Sequence, residues 1–341
     1  MDSRRFAEIA RKVSGRPLAG VERLRGGSKK GVYRLSFEGG SSAILYVWSE
    51  EENYWPAGSG DGGGSVLGHA SGVRLFAASQ ARLRGIGVRV PEIVLLDDGK
   101  ECFPADVAVV EDVRGGTLEA LLRDDPVRAG RVMDRLAAGL GAMAADRSPQ
   151  VRRVAVDERA PGAAGDEGGP APGGDEAGVG DRAPRAAVDV VMAWALKDLG
   201  EAAARVERIG AVREPLEARL RELAALVEPR DDYALIHGEL GPDHVLVDER
   251  DEPVLIDIEG AMFFDVEWEH VFLRIRFGDH YERLRVPGLD ERRMRLYALA
   301  QHLSLVAGPL RLLDGDFPDR EAMMGIARFH SEEALRFAGR R

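Results

Sequence analysis

The chain has 341 residues, 45% of them hydrophobic, which suffices for two lobes with substantial cores. Its formal net charge of -11 argues against nucleic acid as a partner and favours a neutral or cationic ligand, and its single cysteine, Cys102, excludes intrachain disulfides and a thiolate zinc cluster. No apolar run approaches the roughly 18 residues of a membrane span, and the opening MDSRRFAEIARKV lacks the apolar centre of a signal peptide, so a cytoplasmic protein with no membrane partner is expected.

Residues 3–13 place Phe6, Ile9, Ala10 and Val13 at helical spacing and stop at Ser14-Gly15-Arg16-Pro17. A strand around 21–24 leads through Arg25-Gly26-Gly27-Ser28-Lys29-Lys30-Gly31 into the alternating run 32–37. Strand, glycine loop, strand lets backbone N–H groups approach phosphate oxygens; a glycine hairpin turn has the same appearance. Residues 43–48 (AILYVW) form a third strand, and 73–84 a helix. Between them, 50–72 is a flexible glycine-rich insertion with an aromatic patch at Asn53-Tyr54-Trp55-Pro56. The patch reads either as an anchor on the surface of the small lobe or as a lid whose Tyr54 or Trp55 meets substrate.

Further strands are expected at 88–96 and 105–110, followed by Glu111-Asp112-Val113-Arg114-Gly115-Gly116-Thr117-Leu118. Thr117 is a good N-cap for a short helix through Leu122. Residues 126–145 are an amphipathic helix with Val132, Leu136, Leu140 and Met143 on one face. From 157 to 185, Gly, Pro, Ala and acidic residues replace any periodicity, the composition of a disordered insertion. Helices follow at 188–208 and 215–227.

The stretch 235–269 reads LIHGELGPDHVLVDERDEPVLIDIEGAMFFDVEWE. Apolar runs at 245–247 and 254–256 flank a polar turn, the pattern of a β-hairpin. Pairing brings Glu239, His244, Asp257 and Glu259 to one end of it, a set suited to a divalent metal and to deprotonating a hydroxyl. Helices at 271–277, 290–307 and 320–338 close the chain. Asp314, Asp316 and Asp319 between the last two either meet amines of a cationic substrate or serve as caps and solvated loop acids.

The stretch 235–269 resembles the catalytic core of the aminoglycoside phosphotransferase and choline kinase group, relatives of the protein kinases. That core is H-G-D, four residues, N, a short hairpin, then a metal-binding Asp in an I-D context. His237, Gly238 and Asp257 match in type and spacing, while Glu239 stands at the catalytic Asp and His244 at the metal-binding Asn. Glu269 stands at the final Asp of a G-D-P-x-x-D segment. Residues 111–118 resemble the connection between the lobes, and 25–31 the phosphate-covering loop.

The resemblance implies an α+β, bilobal protein kinase-like fold, with a small β-rich N-lobe over 1–110 and a mainly helical C-lobe over 111–341. It implies ATP or GTP as donor, Mg²⁺ as the ion, and a hydroxyl of a small molecule, with a cationic one in view, as acceptor. An imidazole at His244 either hydrogen-bonds instead of ligating or shifts the preference toward Mn²⁺ or another transition metal. On this basis Glu239 and His237 are the catalytic candidates. Gly26, Gly27, Ser28, Lys29, Lys30, Glu111 and Val113 are the nucleotide contacts, and Asp257, His244 and Glu259 the metal ligands.

The chain also departs from the group. Its third strand has Tyr46 or Trp48 where a phosphate-holding Lys belongs, and the helix at 73–84 has no Glu to pair with one. Lys29, Lys30 and Arg34 are the candidates to replace that cation. Together with Glu239 and His244, these departures keep open a catalytically impaired, pseudokinase-like binding protein, or a transferase that holds its nucleotide differently. A zinc hydrolase built on His237, His244 and Asp257 conflicts with the order of the segments.

Overall fold

The alternating run that starts at Gly31 pairs on both sides. In a computed structural model describing residues 3–24, 27–56, 65–154 and 187–339, α1 (Ser3–Ser14) precedes β1 (Leu18–Arg23), β2 (Gly31–Phe37) and β3 (Ser42–Trp48). After α2 (Val73–Gly85) come β4 (Ile93–Asp97) and β5 (Asp106–Glu111). The strands form one antiparallel sheet in the order β1-β2-β3-β5-β4. Gly26 and the insertion expected at 157–185 lie outside the described residues.

Every second residue of β2 is buried, and Tyr33, Leu35 and Phe37 pack on Phe6, Ile9 and Ala10 of α1. β3 is buried on both faces, as its unbroken apolar run requires. Its Tyr46 and Trp48 face α2 and join the main core. β4 begins later than position 88 because Pro91 has no N–H for a ladder. The residues before it bind the C-lobe instead, with Leu255 N–H donating to the Arg89 carbonyl at 2.9 Å.

Past the connection, α3 (Leu118–Asp124) is capped by Thr117, whose hydroxyl accepts from Ala120 N–H at 3.2 Å. α4 (Pro126–Ala145) has Pro126 in its first turn and Asp125 as cap, a favoured helix start. β6 (Arg147–Ser148) and β7 (Arg152–Arg153) precede α5 (Ala187–Arg205), α6 (Glu207–Gly210) and α7 (Arg213–Ala225). Then come β8 (Tyr233–Ile236), the hairpin β9 (Val245–Val247) and β10 (Pro253–Leu255), and β11 (Met262–Phe264). α8 (Val266–Phe277), α9 (Glu291–Leu312) and α10 (Arg320–Ala338) complete the lobe.

A second sheet, β6-β8-β11-β7, places the start of the stretch 235–269 beside β11. α8 starts five residues before the expected 271. Glu267, Trp268, Glu269 and His270 are all buried, so no amphipathic stripe marks its first turns.

The two lobes meet at the hairpin. Val247 N–H donates to the Gly116 carbonyl at 2.9 Å, and a Cβ on Gly115 would lie 1.8 Å from the Val247 carbonyl oxygen. Only glycine admits that approach. The architecture is the expected one, a β-sheet N-terminal region on a helical C-terminal region. Among the described residues no helix is long and apolar enough to cross a membrane.

Candidate active site

The loop carrying His237 and Glu239 leaves β8 directly after four buried residues. His237 is 1% exposed; its Nε2 donates to the Ile256 carbonyl at 2.9 Å and its Nδ1 accepts from Glu239 N–H at 3.4 Å. The ring therefore ties the loop to the end of the hairpin. Gly238 has a φ of +92°, favoured by glycine, and its N–H donates to the Glu269 carboxylate at 2.6 Å. Burial holds the Glu269 carboxyl above its ordinary pKa. Asp265, fully buried, accepts from Arg293 at 2.5 Å and from the Tyr297 hydroxyl. Asp265 and Glu269 thus brace the loop and helix α8.

Glu239 is exposed to the cleft. His244 donates Nδ1–H to the Glu239 carbonyl at 2.8 Å, which turns its Nε2 toward Asp257 at 4.0 Å. Asp257 follows β10 in the left-handed region, at φ 60° and ψ 41°. A side-chain-bearing residue in that region costs about 1–3 kcal/mol and marks functional sites. Glu259, two residues on, is buried.

From the N-lobe, Lys30 closes this arrangement. Its ammonium, 6% exposed, lies 2.7 Å from Asp257, hydrogen-bonds Glu259, and sits 5.1 Å from the centre of the Tyr46 ring. Burial opposes the Lys30 charge, but the two carboxylates outweigh it and raise its pKa; Lys30 in turn holds the Asp257 carboxyl well below the usual range. Where the Lys–Glu pair of the resemblance would be, Tyr46 and Trp48 pack on Phe76 with ring centres 5.4 and 5.7 Å away. An apolar cluster has replaced the ion pair, an exchange that stability tolerates. Arg34 does not face the cleft: it pairs with Asp112 at 3.0 Å.

The glycine loop is held from the side. Gly27 has a φ of +80°. Ser28 accepts Trp55 Nε1–H at 2.9 Å, and its carbonyl accepts Tyr54 N–H at the same distance. The Trp55 ring also lies against Gly308 of α9, and Tyr54 meets Phe317 edge-on at 5.5 Å. The aromatic patch therefore spans the two lobes and is not confined to the small one.

A cavity of about 120 Å³ is lined by Lys29, Lys30, His237, Glu239, Asp257 and Glu259, together with C-lobe residues. Glu111 and Val113 line a different one, of about 390 Å³, beside Arg89, where the Glu111 carboxylate lies 2.5 Å from the Arg89 guanidinium. The structure thus gathers the catalytic and metal candidates with Lys29 and Lys30, and sets the connection candidates apart. Asp314 pairs with Arg205 at 2.7 Å and Asp319 caps α10; neither lines either cavity.

Among the described residues, no three His, Cys, Asp or Glu side chains are grouped to hold a metal by themselves. The donor set still fits a hard cation that keeps waters and phosphate oxygens as further ligands. Asp257 and Glu259 share one cationic partner, and the second Glu259 oxygen is buried without a hydrogen-bond partner among the described residues. Sequence reasoning did not single out Arg153, Trp194 or Gln301, which also line the cavity. They come from helices and a short strand with no motif around them.

Comparison with known proteins agrees with this fold. The chain superposes on the aminoglycoside phosphotransferase APH(2")-IIia in its GDP and kanamycin complex with a TM-score of 0.61 and 17% identity, covering 98% of this chain and 99% of that one. A thermostable mutant of the aminoglycoside phosphotransferase APH(4)-Ia, in apo form, gives 0.59 and 17%, over 96% and 98%. A putative fructosamine-3-kinase from Thermobifida fusca gives 0.53 and 21%, over 97% and 98%. At these identities the likeness is one of fold. No curated protein matches the chain in sequence. The model of the "Phosphotransferase enzyme family", by contrast, matches residues 65–303, well over half of the chain. The chain belongs to that phosphotransferase family.

Proposed function

We propose that the protein transfers the terminal phosphoryl group of ATP or GTP to a hydroxyl of a small molecule in the cytoplasm. The observation that carries this reading is the Lys30 ammonium held between Asp257 and Glu259. It supplies, from the end of the glycine loop, the cation that the third strand lacks. Phosphoryl transfer asks a protein mainly for positioning and charge neutralisation, and the residues divide along those lines.

Asp257 and Glu259 would hold Mg²⁺ or Mn²⁺, which when bound neutralises phosphate charge. Lys30, released from the two carboxylates, pairs with phosphate oxygens, with Lys29 beside it. Gly27 and Ser28 cover the phosphates, and the backbone between Glu111 and Val113 meets the base. Glu239 orients the acceptor hydroxyl and takes its proton; the extra CH₂ relative to Asp is accommodated because Glu239 points into open cleft. His237 holds the loop, and His244 keeps its Nε2 toward Asp257.

Calorimetry with ATP and GTP, each with Mg²⁺ and with Mn²⁺, tests the reading. Nucleotide binding that Asp257→Ala abolishes, with turnover that Glu239→Gln removes at nearly unchanged affinity, is the expected result. A second reading, a catalytically impaired binding protein, is favoured by the same ion pairs if Lys30 never leaves them. Absence of nucleotide binding under every combination would end the first reading.

A further inference from the structure

Beyond Glu239 the cavity changes character. Its C-lobe walls are Trp194 of α5, Trp268 and Phe272 of α8, and Leu305 of α9, with Met262 of β11 beneath. None of the lining residues contributed by these helices is acidic. The lining carboxylates are Glu239, Asp257 and Glu259, and the last two are answered by Lys30. An acceptor bearing several ammonium groups would meet one uncommitted carboxylate, Glu239, which the hydroxyl needs. An ammonium stranded against the apolar wall is costly.

Besides the Ser304 hydroxyl, which bonds Asp198, two polar side chains lie in this lining. Gln301, 2% exposed, donates Nε2–H to the Trp268 carbonyl at 2.7 Å, and its Oε1 is buried without a partner among the described residues. Arg153 donates Nη2–H to the Gly68 carbonyl, while its Nη1 is likewise buried and unpartnered among the described residues. Burial works against the Arg153 charge and the nearby Glu239 offsets part of it. A guanidinium with a buried, unused N–H is matched best by a carboxylate or carbonyl oxygen.

We propose, on the phosphotransferase reading above, that the acceptor is a hydroxyl compound with a flat apolar body and a carboxylate or carbonyl group, neutral or anionic overall. The body lies against Trp194, Trp268 and Phe272, and its oxygen accepts from Arg153 Nη1. Gln301 Oε1 accepts from any further hydroxyl. In the reaction the acceptor oxygen bonds to the terminal phosphorus and the bridging P–O bond breaks. Its electron pair leaves on the nucleoside diphosphate, and the hydroxyl proton passes to Glu239. Of the neutral or cationic ligand that the net charge favours, this proposal keeps the neutral class and adds the anionic one.

The test is calorimetry of the full chain with hydroxylated aromatic carboxylates, their matched alcohols (carboxylate replaced by hydroxymethyl) and kanamycin. Mass spectrometry of each mixture with ATP and GTP runs in parallel. The carboxylates are expected to bind and be phosphorylated. Arg153→Gln should weaken them on the order of tenfold or more and leave the alcohols unchanged, as loss of a charge-assisted hydrogen bond requires. Trp194→Ala should weaken both. Equal loss of carboxylate and alcohol in Arg153→Gln would mean that Arg153 only holds the Gly68 loop, and would overturn the assignment. Kanamycin phosphorylated with the carboxylates inert, or no panel member bound at all, would overturn it while leaving nucleotide binding, and so the phosphotransferase reading, standing. Carboxylates bound but never phosphorylated would support the pocket and count against that reading.

Discussion

Lys30 and Asp257 are 227 residues apart in sequence and 2.7 Å apart in space, one from each lobe. With Glu259 they form an ionic group, Lys30 and Glu259 buried and Asp257 open to the cleft, that closes the cleft from the N-lobe side. A cation bound there in place of the Lys30 ammonium would meet the same carboxylates, so ion and side chain compete for one position.

Removal of the ammonium should expose that competition. In Lys30→Ala the buried Glu259 carboxylate loses its partner, a loss of about 3 kcal/mol or more. Thermal unfolding should show a lowered Tm that Mg²⁺ or Mn²⁺ restores by a larger margin than it raises the Tm of the parent protein. Equal metal shifts in both would disprove the competition.

Glu269 offers a test of loop bracing without touching phosphate or metal. Glu269→Gln keeps the shape but replaces a charged acceptor of the Gly238 N–H by a neutral one. Turnover should fall about tenfold or more at constant nucleotide affinity, since a small displacement of Glu239 suffices. An unchanged rate would show that His237 alone fixes the loop.

Gly115 should tolerate no side chain. A Cβ 1.8 Å from the Val247 carbonyl oxygen forces the connection off the hairpin. Gly115→Ala should lower stability by about 3 kcal/mol, the upper part of the range for overpacking. Gly139→Ala, with no neighbour within 4 Å of a Cβ, is the control and should be neutral or slightly stabilising. Urea unfolding of the two variants makes the comparison.

Buried histidines should set the acid limb of stability. Burial lowers His270 and His302 to about 4 and His330 to about 3, and His302 and His330 share an Nδ1–Nδ1 hydrogen bond of 2.8 Å. Between these values and the ordinary value of 6.5 the unfolded chain binds more protons than the folded one. Stability is therefore full above about pH 6.5 and falls as pH drops toward 4. Replacing His302 and His330 together by Leu should flatten the urea midpoint over that interval; an undiminished slope would assign it to other groups.

The hairpin, the connection and the long helices were legible because each has a local signature. Val245–Val247 and Pro253–Leu255 pair across a turn visible as Asp and Glu residues, and Thr117 announces α3. The strands Tyr233–Ile236 and Met262–Phe264 have no alternation and are too short to declare themselves. At the site, the spacing of His237, Glu239 and Asp257 carried the geometry. Lys30 was visible only as one of three candidate cations. Its selection over Arg34 depends on the loop entering β2, which turns Lys30 inward and leaves Arg34 to Asp112. Trp194 and Gln301 belong to helices whose inner faces meet only in three dimensions, so neither could be assigned to the cleft beforehand.

Trp55 joins Ser28 of the glycine loop to Gly308 of α9 and is the least buried of the four tryptophans. Withdrawal of the glycine loop from α9 either breaks the indole hydrogen bond or carries the ring off Gly308, and both move the ring toward water. The molecule therefore carries its own optical gauge. The red-edge emission of Trp55, isolated by comparison with Trp55→Phe, will record opening and closing of the cleft in real time, with no label attached.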